Sequence, residues 1–116
     1  MSAQSFVVLM YEDERIWAEA TEESRALSMR QHDEYSSRAG EYGVAIVGGD
    51  ALRPVATAVT LRRAGEDSSV IEGPFAETAE QLGGFYLVTA PDRESVLKHA
   101  LLLPEYTIEV REIMQM

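Results

Sequence analysis

A strand passes directly into a helix in residues 84–104, which read GFYLVTAPDRESVLKHALLLP. Residues 84–89 are rich in aromatic and β-branched side chains, and this composition favours a strand. Asp92 is a suitable N-cap for the following helix, and Pro104 is expected to end it. The apolar side chains of this helix fall largely on one stripe: Val96, Leu97, Ala100, Leu101 and Leu103. The segment therefore predicts a strand followed by a helix that packs on a sheet.

The N-terminal part of the chain repeats this order. The apolar run FVVLMY at residues 6–11 is too short for a free-standing helix and predicts a strand buried on both faces. After an acidic turn at residues 12–14, we expect a helix over residues 22–39 with Thr21 as its N-cap. Residues 44–47 predict the next strand, and two glycines after it indicate a sharp turn or a close backbone approach: Gly48 and Gly49.

The remaining strands complete an α+β plan. Residues 56–63 and 69–72 are expected to pair as a hairpin around the glycine-containing loop 64–68, and residues 107–113 alternate as a final strand. The order strand, helix, strand, hairpin, strand, helix, strand predicts a ferredoxin-like protomer. Helices cover one face of such a sheet, so a second copy of the chain is the simplest cover for the other.

Composition limits the kind of protein. A length of 116 residues leaves room for one hydrophobic core, so we expect a single domain over residues 1–116. The chain has 20 acidic and 10 basic side chains, a net charge of −10, which would repel phosphate backbones and anionic lipid headgroups. We therefore expect no direct contact with nucleic acid.

Features that the sequence lacks bear on the cellular location of the protein and on its metals and cofactors. No apolar run approaches the roughly 20 residues that span a bilayer, and residues 1–15 lack the basic start and cleavage site of a signal peptide. We expect a cytoplasmic protein with no membrane association. Cysteine is absent, which excludes disulfides and cysteine-based zinc sites. The chain has only two histidines, and the second, His99, has no carboxylate three or four residues further along the helix. We therefore predict no metal site. No cofactor is predicted either.

A long motif follows the hairpin. Residues 72–78 read EGPFAET and residues 80–86 read EQLGGFY, which closely resembles the signature of the DGPF branch of the YCII-related family. The supporting matches keep the order and spacing of the family over nearly the whole chain: Tyr11 before an acidic turn, His32, Gly48, Gly49, Leu52, Pro54 and residues 109–114.

The resemblance implies a ferredoxin-like protomer that pairs through its sheets into a dimeric α+β barrel, with a pocket between sheet and first helix. Members of the family are mostly uncharacterised; some are similar to dehalogenase-like or muconolactone-isomerase-like barrel enzymes, and many are encoded beside alternative sigma factors. This sequence departs from the family pattern at Glu72, where Asp is usual, and at Ala79, where Lys is common. Leu103 stands where distant relatives carry the Asp partner of the histidine, so a His–Asp dyad is not expected.

His32 is the first candidate catalytic residue because a neutral imidazole can act as acid or base near pH 7. The helix face that carries it is unusually polar for a surface that packs on a sheet: Ser24, Leu27, Ser28, Gln31, His32, Tyr35 and Ala39. Such a lining suits a small cavity with Ser28, Tyr35 and Tyr86 as ligand-binding residues. The alternative is that His32 is a hydrogen-bonded structural residue.

Glu72 is the second candidate catalytic residue. The bend at Gly73 and Pro74 places its carboxylate at a strand end, with Phe75 beside it as a ligand contact. Alternatively, Glu72 and Glu77 cap a short helical turn over residues 76–81, and Phe75 and Phe85 belong to the core.

Two functions from different classes are compatible with the sequence. One is a cofactorless pocket with lyase- or isomerase-like acid–base activity, in which His32 moves protons and Glu72 or Tyr86 orients the ligand. The other is a non-catalytic regulatory or binding module that engages a partner such as a sigma factor.

Overall fold

The computed structural model describes residues 3–116, and the described chain forms six strands and three helices. The strands are β1 (Gln4–Glu12), β2 (Ala45–Ala51), β3 (Val59–Ala64), β4 (Asp67–Glu72), β5 (Gln81–Ala90) and β6 (Thr107–Glu112). The helices are α1 (Glu14–Ala18), α2 (Glu22–Ser37) and α3 (Arg93–Ala100), with 3-10 turns at Ala39–Tyr42 and Val55–Thr57.

Four strands form one antiparallel sheet in the order β2-β5-β1-β6, while β3 and β4 pair separately as a hairpin. Since β5 lies between β1 and β2, α2 connects two strands that run in the same direction without touching. In the same way, α3 connects β5 to β6 across β1. This arrangement is ferredoxin-like, and the predicted α+β class is confirmed.

One face of the sheet carries the core. In the register Phe6 lies opposite Val88 and Val8 opposite Tyr86, and these side chains point towards the helices. The buried apolar residues are Phe6, Val8, Met10, Tyr35, Ala39, Val44, Val88, Ala90, Val96, Ala100 and Leu103. The molecule measures 48 × 43 × 18 Å, and its least dimension fits one layer of helices on one sheet about 10 Å away.

The opposite sheet face lacks helix cover. It presents two apolar cross-strand pairs, Val7 with Leu87 and Leu9 with Phe85, at the centre of the sheet. The edge residue Val47 is 66% exposed. The four side chains of these pairs are partly exposed in the protomer.

The predicted acidic turn is wrong in part, because α1 begins directly after β1. Asp13 caps this helix by accepting a hydrogen bond from the backbone N–H of Arg15 at 3.0 Å. Its carboxylate also pairs with the Arg15 guanidinium at 2.7 Å. Acidic residues at a helix start are stabilised by the free backbone N–H groups and the helix dipole, so the same charges fit a turn or a cap.

Of the two outcomes predicted for Gly48 and Gly49, the sharp turn is wrong, because β2 continues through both glycines, whereas the close backbone approach is confirmed at Gly49. The pairing of β2 with β5 shifts by one residue between Ile46 and Gly48, a bulge that absorbs Val47. Gly49 has φ +152°, and a Cβ there would lie 2.6 Å from the carbonyl oxygen of Phe85. The glycine lets β2 pass closely over β5 rather than turn away from it.

The hairpin is displaced by a few residues from the prediction, and its turn is shorter. One of its faces is an exposed apolar stripe of Val59, Leu61 and Val70, each 60–65% exposed. The predicted helical turn over residues 76–81 does not form, since this segment consists of bends that lead into β5. Phe75 is 77% exposed, so its assignment to the core is wrong.

The apolar stripe predicted for α3 is correct only in part. Val96 and Ala100 are buried, whereas Leu97 and Leu101 are exposed. His99 takes the place beside Ala100 on the buried side and has no exposed surface. A polar ring is tolerated there because the backbone of α2 supplies its hydrogen bond.

Among the described helices, none is long and apolar enough to span a membrane.

Candidate functional site

The imidazole of His32 lies between two tyrosine hydroxyls. Its Nδ1 is 2.6 Å from the Tyr86 hydroxyl oxygen, and its Nε2 is 2.8 Å from the Tyr106 hydroxyl oxygen. In a neutral imidazole one nitrogen carries a proton and the other accepts one. One tyrosine therefore donates to the ring while the other accepts from it. We call Tyr86, His32 and Tyr106 the tyrosine–histidine chain.

Three separate elements position these side chains. His32 lies in the middle of α2, whose N-cap Thr21 accepts a hydrogen bond from the N–H of Ser24 at 3.0 Å. Tyr86 is on the helix side of β5, where a Cβ at Gly49 would come within 2.9 Å of its ring. Tyr106 lies in the turn before β6, with its backbone N–H donating to the Pro104 carbonyl at 2.7 Å.

Partial burial favours the neutral forms of the three side chains in the tyrosine–histidine chain. Burial lowers the pKa of His32, against the opposing effect of the nearby Asp33 carboxylate. Burial also raises the pKa of Tyr86 and of Tyr106 above that of a free phenol. At neutral pH the site is therefore an uncharged imidazole between two intact hydroxyls, able to exchange protons without separating charge.

Two serines of α2 lie close to the ends of the tyrosine–histidine chain. Ser36 lowers the pKa of Tyr86 and Ser28 lowers the pKa of Tyr106, in each case against the larger, opposite effect of burial. Ser36 is exposed, whereas Ser28 is partly buried. Each lies one turn of helix from His32.

Ser28 is also part of the wall of a cleft of about 240 Å³ between α1, α2 and the turn before β6. Its other lining residues are Glu12, Ile16, Trp17, Ala20, Ser24, Gln31, Pro104 and Glu105. The wall combines an indole and aliphatic surface with a few polar groups, as is usual for small-molecule sites. Tyr106 does not line the cleft itself, but it lies beside Ser28 and directly follows Glu105, which both do.

Glu12 is a partly buried carboxylate that lines the cleft. Burial raises the pKa of Glu12, and the neighbouring Asp13 raises it further. The charge of Glu12 in turn contributes to the raised pKa of Tyr106, after the larger effect of burial. Within residues 3–116, no hydrogen bond or ion pair involves the Glu12 side chain.

The site residues predicted from the sequence are divided between separate places. Ser28 and Tyr86 lie with His32, as described above. Tyr35 is completely buried, and its ring stacks on His99 with a centroid distance of 3.8 Å. Glu72 lines a different open groove of about 640 Å³, which shares no residue with the cleft. Phe75 is exposed near that groove, with the Arg62 guanidinium 5.9 Å from its ring.

Two residues of the site were missed by sequence reasoning. Tyr106 follows Pro104 in a segment without periodicity, and no pattern assigned it a partner. Glu12 was treated as part of a solvated acidic turn, although its position after an apolar strand is a weak signal of partial burial. The family resemblance pointed to position 103, where distant relatives carry Asp and this sequence has Leu103. The residue that contacts His32 is Tyr106, three residues further along.

The donor set does not resemble a metal centre. No group of three or more His, Asp or Glu side chains that could hold a metal ion occurs in the part of the chain that the structure describes. Both ring nitrogens of His32 already contact hydroxyl groups.

Fold and site together define a ferredoxin-like α+β protein with a partly buried tyrosine–histidine chain beside a small cleft. The chain belongs to the YCII-related domain family, whose model matches residues 5–116. It is also similar to an uncharacterized protein of Rhizobium meliloti (strain 1021), with 33% identity over 98 residues, 82% of this chain and 76% of that protein. The family predicted from the EGPFAET segment is therefore confirmed.

Proposed function

We propose that this protein binds a small molecule in the cleft between α1 and α2 and transfers protons to or from it without a cofactor. The reaction class is lyase- or isomerase-like acid–base chemistry. One observation carries the proposal: both nitrogens of the His32 imidazole are within 2.8 Å of a tyrosine hydroxyl.

This geometry suits a proton relay. When Tyr86 donates to Nδ1, Nε2 carries the ring proton and donates to Tyr106. In the other tautomer Nδ1 carries the proton and Tyr106 donates to Nε2, so a change of tautomer moves one proton along the tyrosine–histidine chain. The ring takes a proton at one nitrogen and releases one at the other, and no charged imidazolium has to persist in the partly buried site. Proton transfer by a positioned side chain typically contributes about 10²–10⁴-fold to a rate.

The position of Ser28 links the relay to the cleft. Ser28 lies beside Tyr106 and lines the cleft, so a ligand there lies next to the Tyr106 end. At the other end, Tyr86 lies beside the exposed Ser36. In this proposal a proton taken from a ligand leaves to water at the Tyr86 end and does not cross the cleft.

The test is a ligand screen that compares two alanine-to-phenylalanine variants of the same region. Ala20 lines the cleft, whereas Ala18 lies two residues away on α1 and is exposed. Ligand-observed NMR with a library of small metabolites should give hits for wild type and Ala18→Phe that disappear in Ala20→Phe. In D₂O, a hit that is also a substrate should lose a carbon-bound proton signal at a rate that His32→Gln reduces.

A screen with no hit blocked by Ala20→Phe contradicts the small-molecule proposal. That outcome would favour the alternative implied by the family resemblance, a non-catalytic module for a protein partner such as a sigma factor.

We also propose that the protein is a homodimer that pairs through the open face of its sheet. Support comes from the apolar pairs Val7 with Leu87 and Leu9 with Phe85, which no helix of the protomer covers. Burying apolar area yields roughly 25 cal/mol per Å², so an open apolar sheet face favours association. Sheet-to-sheet pairing also agrees with the dimeric barrel implied by the family resemblance.

A further inference from the structure

We propose that the cleft takes a small organic cation, an amine carried on a single ring or a short apolar chain, whose ammonium group pairs with Glu12. This inference rests on the proposed small-molecule function and specifies its ligand class.

The size of the cleft sets the size of the ligand. A volume of about 240 Å³ is below the usual range for drug-sized ligands. Since one water occupies roughly 30 Å³ of liquid, the cleft has room for about eight non-hydrogen atoms. One six-membered ring with a one-carbon side group fills such a space, and a nucleotide or a coenzyme does not fit.

The charge of the cleft sets the charge of the ligand. Its ionisable lining residues are Glu12 and Glu105, both acids, and no Lys, Arg or His lines it. Glu105 is exposed, whereas Glu12 is partly buried and unpaired within the described residues. An anionic ligand would meet repulsion without a compensating donor, while an ammonium group would supply the ion pair that Glu12 lacks.

Arg25, which contacts the cleft residue Trp17, is engaged elsewhere. Arg25 donates to the carbonyl oxygens of Trp17 at 2.8 Å and of Ala18 at 3.3 Å, which end α1. Its guanidinium also lies 5.0 Å from the centroid of the Trp17 ring. Arg25 thus fixes the indole as a wall of the cleft and does not neutralise Glu12.

The apolar part of the ligand has its own surface. Ile16, Trp17 and Pro104 line the cleft beside the polar groups of α2. A ring packed on this wall would leave the attached ammonium towards Glu12 and an adjacent carbon towards the Ser28 and Tyr106 end. The carbon next to the nitrogen is then the atom nearest the proton relay.

Trp17 also provides the measurement, because it is the single tryptophan of the chain and lines the cleft. Its fluorescence can be titrated with three compounds of the same shape and different charge: benzylamine, benzyl alcohol and benzoate. At pH 7.5 and low salt we expect benzylamine to bind at least about tenfold more tightly than benzoate, with benzyl alcohol between them.

Two variants test whether Glu12 is responsible. Glu12→Gln should reduce the preference for benzylamine over benzoate to about twofold or less. The matched control Glu19→Gln removes an exposed acid outside the cleft and should leave the preference unchanged. Ala20→Phe keeps the net charge of the chain and should abolish the response, which separates binding in the cleft from attraction to an acidic surface.

The outcomes distinguish this inference from the function on which it rests. Benzoate binding as tight as benzylamine binding, lost in Ala20→Phe, overturns the charge assignment and leaves the cleft as a ligand site. An equal preference for benzylamine over benzoate in Glu12→Gln and Glu19→Gln also overturns the charge assignment and leaves the cleft as a ligand site. If none of the three compounds binds and the metabolite screen gives no hit that depends on the cleft, both the organic-cation assignment and the proposed small-molecule function are overturned.

Discussion

His99 and Tyr35 bind α3 to α2 through both a hydrogen bond and ring stacking. The Nε2 of His99 lies 2.6 Å from the carbonyl oxygen of Tyr35, and the two rings stack at 3.8 Å with an interplanar angle of 12°. A carbonyl oxygen only accepts, so Nε2 carries the proton in the neutral ring. The Nδ1 atom of His99 and the hydroxyl of Tyr35 are buried without a partner among the described residues.

The first prediction concerns acid stability. Burial lowers the pKa of His99 against the opposing hydrogen bond to Tyr35, so the folded protein takes up this proton at lower pH than the unfolded chain. The stability that depends on neutral His99 is therefore complete above the unfolded pKa of about 6.5 and is lost as pH falls towards the folded pKa. Denaturant unfolding between pH 8 and pH 5.5 should show this loss.

His99→Gln is the matched variant, because a glutamine amide can still donate to the Tyr35 carbonyl but does not titrate. Its free energy of unfolding should depend less steeply on pH, by up to about 1.4 kcal/mol per pH unit for one proton. Equal slopes for wild type and variant would show that His99 does not control the acid limit.

The second prediction concerns the unpartnered hydroxyl of Tyr35. Tyr35→Phe removes a buried polar group without opening space, so the free energy of unfolding should stay the same or rise by up to about 1 kcal/mol. Tyr86→Phe is the contrasting variant and should lower it by about 1 kcal/mol, because its hydroxyl contacts His32. A destabilised Tyr35→Phe would indicate a bridging water or ligand at that hydroxyl.

The third prediction separates the catalytic from the structural interpretation of His32. His32→Ala deprives two tyrosine hydroxyls of their partner and should lower the free energy of unfolding by about 1–2 kcal/mol. Tyr106→Phe keeps the ring and should cost less than about 1 kcal/mol. If the tyrosine–histidine chain is functional, neither variant should catalyse the exchange of a ligand proton for deuterium in the cleft, as measured by NMR. Destabilisation with unchanged exchange would leave His32 a structural residue.

The fourth prediction concerns the open sheet face. Wild-type protein at micromolar concentration should show the mass of two chains by light scattering, and Leu9→Lys should reduce this to one chain by placing a charge among apolar side chains. Leu101→Lys is the control, since Leu101 is 83% exposed at the C-cap of α3, away from that face. A wild-type mass of one chain would refute the proposed dimer.

The fifth prediction concerns metal dependence. Treatment with a chelator should leave the melting temperature unchanged, because the described residues hold no cluster of metal-binding side chains. A decrease of several degrees that added metal reverses would contradict this.

Local patterns were sufficient for most of the framework. The alternation of Ile108 and Val110 in β6 and the caps Thr21 and Asp92 were predicted correctly, because each depends on residues within one turn or one strand. Where local chemistry allows two outcomes, the sequence did not decide between them: the acidic residues after β1 begin a helix, and Gly49 allows a close approach of two strands rather than a sharp turn.

The sequence by itself determined the α+β class, the order of the main elements and the position of His32 on a polar helix face. Only the tertiary structure decided which groups meet that ring, because Tyr86 and Tyr106 lie 54 and 74 residues further along the chain. Their approach depends on the sheet order, which places β1 between β5 and β6 and so brings β5 and the turn before β6 under the same helix. The burial of His99 was decided in the same way, since a backbone carbonyl of α2 makes a polar ring acceptable in the core of α3.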